Sequence, residues 1–135
     1  MNDVKGTTLF EILLATFVFV LVMGALLSSI AAVLYLIDVS KDQTIAVADL
    51  RNIMEKIRVV SFADVITVFP NGVQDGPGGN SYQNMVGGYS LAEGHITITY
   101  FPDINSDPLQ IKAEVTWQDK RGRAYSAFMS TFKTR

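Results

Sequence analysis

The sequence predicts an α+β fold, in which one long N-terminal helix, membrane-spanning in its first half and amphipathic in its second, packs on a small antiparallel β-sheet. Three observations carry this prediction. From Thr7 to Phe62 there is no proline and a single glycine, Gly24. Within that stretch the character changes near Asp38 from uniformly apolar to amphipathic. Beyond Gly94 the apolar residues recur with the two-residue period of strands instead of the helical one.

The helix spans about 55 residues, on the order of 80 Å at 1.5 Å per residue. Its first half is rich in β-branched residues, which does not argue against helix there. In hydrocarbon the backbone must satisfy its own hydrogen bonds, and a single segment can do so only as a helix. Ser28 and Ser29, close after Gly24, are placed for their hydroxyls to bond back to carbonyls one turn earlier. The run from Ile12 to Ile37 carries no charge and exceeds the ~20 residues that a bilayer crossing requires. A cleaved secretory signal has an apolar region of roughly 7–15 residues, about half of this run, which counts against cleavage around Ser29-Ile30-Ala31. Lys5 and the starting amine place the N-terminus in the cytoplasm under the positive-inside bias, so residues after about Asp38 lie outside the cytoplasmic membrane. There Ala46, Leu50, Ile53, Ile57 and Val60, flanked by Val47 and Met54, form one apolar face. Arg51, Asn52, Glu55, Lys56 and Arg58 fall off that face and read as solvated.

Pro70-Asn71-Gly72 closes this region, with a short strand expected just before it at Val65–Phe69. Up to Gly94 the chain is rich in Gly, Asn and Ser, and Gly76-Pro77-Gly78-Gly79-Asn80 is turn chemistry without a phosphate-loop pattern. Two clear strands follow: Ile96, Ile98 and Tyr100 alternate with polar residues, as do Ile111, Ala113, Val115 and Trp117. Asp119-Lys120-Arg121-Gly122 reads as a hairpin turn with Gly at a left-handed position. The returning strand, Arg123 to Phe132, alternates poorly: Tyr125 and Met129 fall on one face, Phe128 and Phe132 on the other. A bulge or burial on both faces would resolve that. The Ile96/Val115/Trp117 face is expected to pack on the Leu50/Ile53/Ile57 stripe, because so small a globular part needs a second layer.

Composition excludes several chemistries. There is no cysteine, hence no disulfide, thiolate metal site or cysteine nucleophile. The single histidine, His95, alternates onto a polar strand face, and no serine sits in a nucleophile-elbow pattern, so the chain is not expected to be an enzyme. Asp103, Asn105 and Asp107 have the alternate-oxygen spacing of a calcium loop, with Glu114 at the position of a bidentate ligand. Pro108 stands where an EF-hand requires glycine, which leaves a looser calcium site as the one cofactor candidate beside the favoured reading of a polar turn. Lys120, Arg121 and Arg123 at the hairpin, with Lys133 and Arg135, form the only basic cluster. With a formal net charge of −2 and few interleaved aromatics, a nucleic-acid partner is not expected.

Glu11 is the anomaly, a lone carboxylate at the mouth of a bilayer-length apolar run, where an ionised group needs a reason to be. Lys5-Gly6-Thr7-Thr8-Leu9-Phe10-Glu11 followed by a long apolar helix resembles the class III signal of type IV prepilins and pseudopilins. The resemblance implies cleavage by prepilin peptidase between Gly6 and Thr7, with methylation of the new amine, although Thr7 stands where the family usually has Phe. It gives Glu11 the assembly role. It further implies a pilin-like fold divided into a leader (residues 1–6), a transmembrane and assembly half-helix (7–37) and an extracytoplasmic globular domain (38–135). The expected function is that of a structural subunit of a type IV pilus-like or type II secretion pseudopilus filament. Expected partners are other pilin or pseudopilin subunits, the peptidase, and an inner-membrane assembly platform with its cytoplasmic ATPase. The subunit would be stored as a single-pass protein in the cytoplasmic (inner) membrane and would end in a surface or periplasmic filament. Major pilins often carry a disulfide-bounded loop, so a cysteine-free chain resembles minor subunits more. The alternative is a solitary membrane-anchored extracytoplasmic binding domain that does not polymerise.

Overall fold

The computed structural model describes residues 9–77, 91 and 93–135. Helix α1 (Leu9–Val59) is unbroken through Gly24 and Ser28-Ser29, and the Ser28 hydroxyl donates to the Gly24 carbonyl at 2.9 Å, the back-bond expected of a hydroxyl in mid-helix. The chain divides into two compact units, Met1–Asp38 and Val39–Arg135. The described part of the first is α1 alone.

The second unit holds the rest of α1, a short helix α2 (Val65–Val68) and strands β1 (Gln74–Asp75), β2 (His95–Phe101), β3 (Leu109–Gln118) and β4 (Ala124–Lys133). The strands form one antiparallel sheet in sequence order, β1-β2-β3-β4. The α1 face buried in this unit is Ala46, Asp49, Leu50, Ile53, Met54 and Ile57, and it shares one core with Ile96, Ile98, Tyr100 and the alternate residues of β3 from Leu109 to Trp117. The expected packing of the stripe on the sheet is therefore present. Fully burying each Leu or Ile of that stripe contributes roughly 1.5–3 kcal/mol to the stability of the unit.

Three details differ from the sequence reading. Val65–Phe69 is not a strand: Val65–Val68 is helical, because Ser61 and Asp64 bond reciprocally and start a turn. The Ser61 hydroxyl donates to Asp64 Oδ2 at 2.7 Å and accepts the Asp64 N–H at 3.2 Å. The extra strand β1 is set by Gly72, whose φ of +71° turns the chain so that its N–H reaches the Ile98 carbonyl at 2.8 Å. Finally, β4 keeps a constant register with β3 from Ala124 to Lys133, with neither bulge nor burial on both faces. Tyr125, Ala127 and Met129 pack on the core while Phe128 and Phe132 point outward, each 67 % exposed.

Two long-range polar contacts tie the C-terminal end of α1 and the short helix α2 after it to the sheet. Lys133 Nζ donates to the carbonyls of Ile57 (3.0 Å) and Arg58 (3.4 Å), acceptors left over in the last helical turn, where a cation also complements the helix dipole. The Tyr100 hydroxyl donates to the Phe69 carbonyl at 2.7 Å, with the Val65 carbonyl at 3.2 Å, and so joins β2 to both ends of α2. Burial raises the pKa of this hydroxyl from 10.0 to about 12. The unfolded chain therefore loses this proton at lower pH than the folded one. The stability that Tyr100 confers is intact below about pH 10 and is lost as pH rises from 10 to about 12. Tyr100→Phe should lower unfolding free energy by about 1–3 kcal/mol at neutral pH, because the Phe69 carbonyl loses its donor while the Val65 carbonyl keeps the Phe69 N–H, and should flatten the alkaline fall in stability. Denaturant titrations of both proteins between neutral and strongly alkaline pH measure both effects.

Candidate functional site

The feature with the strongest chemical demand is the surface of the first part of α1. From Leu9 to Leu34 every side chain is exposed, including Leu9, Phe10, Phe17 and Phe19. Among the described residues α1 is the one helix long and apolar enough to cross a membrane, and no part of its most apolar window is covered by protein. At roughly 25 cal/mol per Å² of apolar area, a bare surface of this length is costly in water and is suited to cover by hydrocarbon or by other helices.

Glu11 lies in the first turn of α1, where a carboxylate is favoured by the helix dipole and by the unpaired N–H groups. Its side chain is exposed, and among the described residues it has no hydrogen-bond or ion-pair partner. Gly6 and Thr7, the expected processing residues, lie outside the described residues, as does Lys5.

Asp103, Asn105 and Asp107 are all exposed in the β2–β3 connection. Asp103 serves its own turn: Oδ1 accepts the Ile104 N–H at 2.6 Å, the Asp103 carbonyl accepts the Ser106 N–H, and the Asp103 N–H donates to the Ser106 hydroxyl. Glu114, counted with these residues by spacing, instead accepts from Lys112 Nζ at 2.7 Å on the outer face of β3. Among the described residues no group of three or more His, Asp or Glu side chains converges on one point.

His95 is half-buried, and its Nε2 lies 2.6 Å from the Thr116 hydroxyl across the β2–β3 pair. Among the described residues its buried Nδ1 has no hydrogen-bond partner. The basic hairpin is built around Asp119. The Gly122 N–H closes the turn on the Asp119 carbonyl, and Gly122 takes a φ of +74°, the left-handed position expected for it. Asp119 Oδ1 accepts the N–H groups of Arg121 (2.8 Å) and Arg123 (2.9 Å), and Oδ2 meets Arg123 Nε at 3.2 Å. One cation of the cluster is thus neutralised within the turn.

The sequence reading missed two buried carboxylates, Asp49 and Asp75, both of which have partners in the structure. Asp49 was findable, since it sits three residues after Ala46 and four before Ile53, inside the apolar stripe. Asp75 lies in a Gly-rich segment with no periodicity, and nothing in the sequence signals its burial. Comparison with protein-family models, with curated proteins and with solved structures finds no match to this chain.

Asp119→Ala strands two turn N–H groups and should cost about 1–3 kcal/mol, whereas Asp119→Asn keeps one acceptor oxygen and should cost about half as much. Thermal melting of the two variants, ranked in that order, checks that the carboxylate organises the hairpin.

Proposed function

We propose that this chain is a structural subunit, most like a minor one, of a type IV pilus-like or type II secretion pseudopilus filament, and that it does no chemistry of its own. The observation that carries the reading is the uncovered apolar surface of α1, which holds a single carboxylate, Glu11, in its first turn. Such a helix is suited to two environments in turn. Hydrocarbon covers it while the subunit is stored in the inner membrane, and neighbouring helices cover it in a filament. The sequence preceding it, Lys5-Gly6-Thr7-Thr8, supports removal of residues 1–6 by prepilin peptidase.

Cleavage would leave a cationic amine at Thr7, one helical turn before Glu11. At the bilayer edge either charge is costly alone and less costly when paired. Pairing of Glu11 with the amine of a neighbouring subunit would fix the axial register between subunits. The β-sheet domain then faces outward, and an inner-membrane platform with a cytoplasmic ATPase draws subunits out of the bilayer.

Intact-mass analysis of membrane-purified protein should give a chain beginning at Thr7, bearing one methyl group. A chain still beginning at Met1 in the presence of its own peptidase would favour the solitary anchored domain. Glu11→Ala should insert and be cleaved, yet be depleted in sheared filaments by tenfold or more, corresponding to about 1.4 kcal/mol of lost docking free energy. Cleaved Glu11→Ala recovered at the wild-type ratio would remove the assembly role of this residue.

A further inference from the structure

The sheet has two edges of different character. On one side β1 pairs with the start of β2, and the Gly72 N–H bonds the Ile98 carbonyl further along. On the other side β4 runs for ten residues beside β3, and among the described residues no backbone hydrogen bond joins its outer edge to another element. The Asp119 N–H bonds the Arg123 carbonyl, so in an antiparallel ladder the bonded pairs alternate from there: Trp117 with Tyr125, Val115 with Ala127, Ala113 with Met129. The backbone groups of Ala124, Ser126, Phe128, Ser130 and Phe132 therefore point to the open edge.

Soluble domains protect such an edge with proline, a bulge, inward charges or shortness. From Ala124 to Phe132 there is no proline and no charged residue, and the register shows no bulge. Phe128 and Phe132 also present exposed rings on the outer face, with Phe101 two strands away in the same cross-strand row as Phe132. The uncharged edge is framed by positive charge. Between Asp119 and Arg135 the chain has five basic residues and one acidic, although its overall charge is −2. Bonding to carbonyls orients Lys133 without neutralising it.

We propose that the β4 edge is a strand-docking site for an extended segment of another protein that is apolar on one face at its centre and acidic at both ends. Main-chain bonds to the five outward-pointing residues supply the pairing, alternate apolar side chains of the incoming strand lie against Phe128 and Phe132, and carboxylates meet the basic ends. A second copy of β4 is a poor occupant, because antiparallel self-pairing sets the turn end of one strand, with three basic residues to the one acidic Asp119, against the Lys133 end of the other. The site does not depend on the filament reading.

The test uses the full chain in detergent and a blocked ten-residue peptide of alternating Thr and Val with two Glu at each end. At millimolar peptide, amide hydrogen exchange at Ser126, Phe128 and Ser130 should slow by about tenfold or more, while the same peptide with Lys for Glu should leave it unchanged. Phe128→Pro removes an outward N–H without touching the β3 ladder and should abolish the protection; Ser126→Pro reports on the same ladder if the first variant misfolds. Equal protection by both peptides, or binding without protection of these amides, would overturn the proposal. So would protection that appears on concentrating the protein alone, which would assign the edge to a second copy.

Discussion

The second unit depends on one packing relation: a sheet of four strands has an apolar inner face that it cannot bury on itself, and the later part of α1 covers it. Ile98, Ile111 and Ala113 are fully buried against a stripe that includes Ala46, Leu50 and Ile53. Remove the stripe and the sheet is left with one solvated face too many, a state that small β structures do not sustain in water. The helix therefore serves as a core element as well as an apolar segment suited to hydrocarbon.

That double use explains where the buried polar contacts lie. A helix ending inside a packed unit leaves carbonyls that need donors, and here the donor is Lys133, 76 residues away from Ile57 in sequence. Tyr100 does the same for α2 from within β2. Both contacts tie the turn after α1 to the sheet, so the way the chain leaves the helix is fixed by strands that come much later. The same principle operates within the hairpin, where the Asp119 carboxylate gathers N–H groups that a tight turn leaves facing inward.

The outer surface follows different rules. Lys112 pairs with Glu114 on the exposed sheet face, and its Nζ lies 4.9 Å from the Phe128 ring centroid. A half-exposed ion pair of this kind contributes little to stability. Its presence beside outward aromatic rings is easier to understand as shaping a contact surface than as holding the fold.

The sequence by itself determined the long helix, its change of character near Asp38, the two central strands, the Gly122 hairpin and the isolation of Glu11. Each of these is local, since periodicity, the absence of proline, one glycine and one misplaced charge are all visible within a few turns of chain. Only the tertiary structure decided that Val65–Val68 is helical, that Gln74–Asp75 joins the sheet, that Asp49 and Asp75 are buried, and which face of β4 is the core face. In β4 both faces carry large apolar residues, so alternation cannot choose between them. The register with β3 chooses, because Val115 and Trp117 already face α1 and their partners Ala127 and Tyr125 must follow. The phenylalanines left on the other side are the consequence of that choice, and no window of sequence shorter than the whole sheet contains the reason.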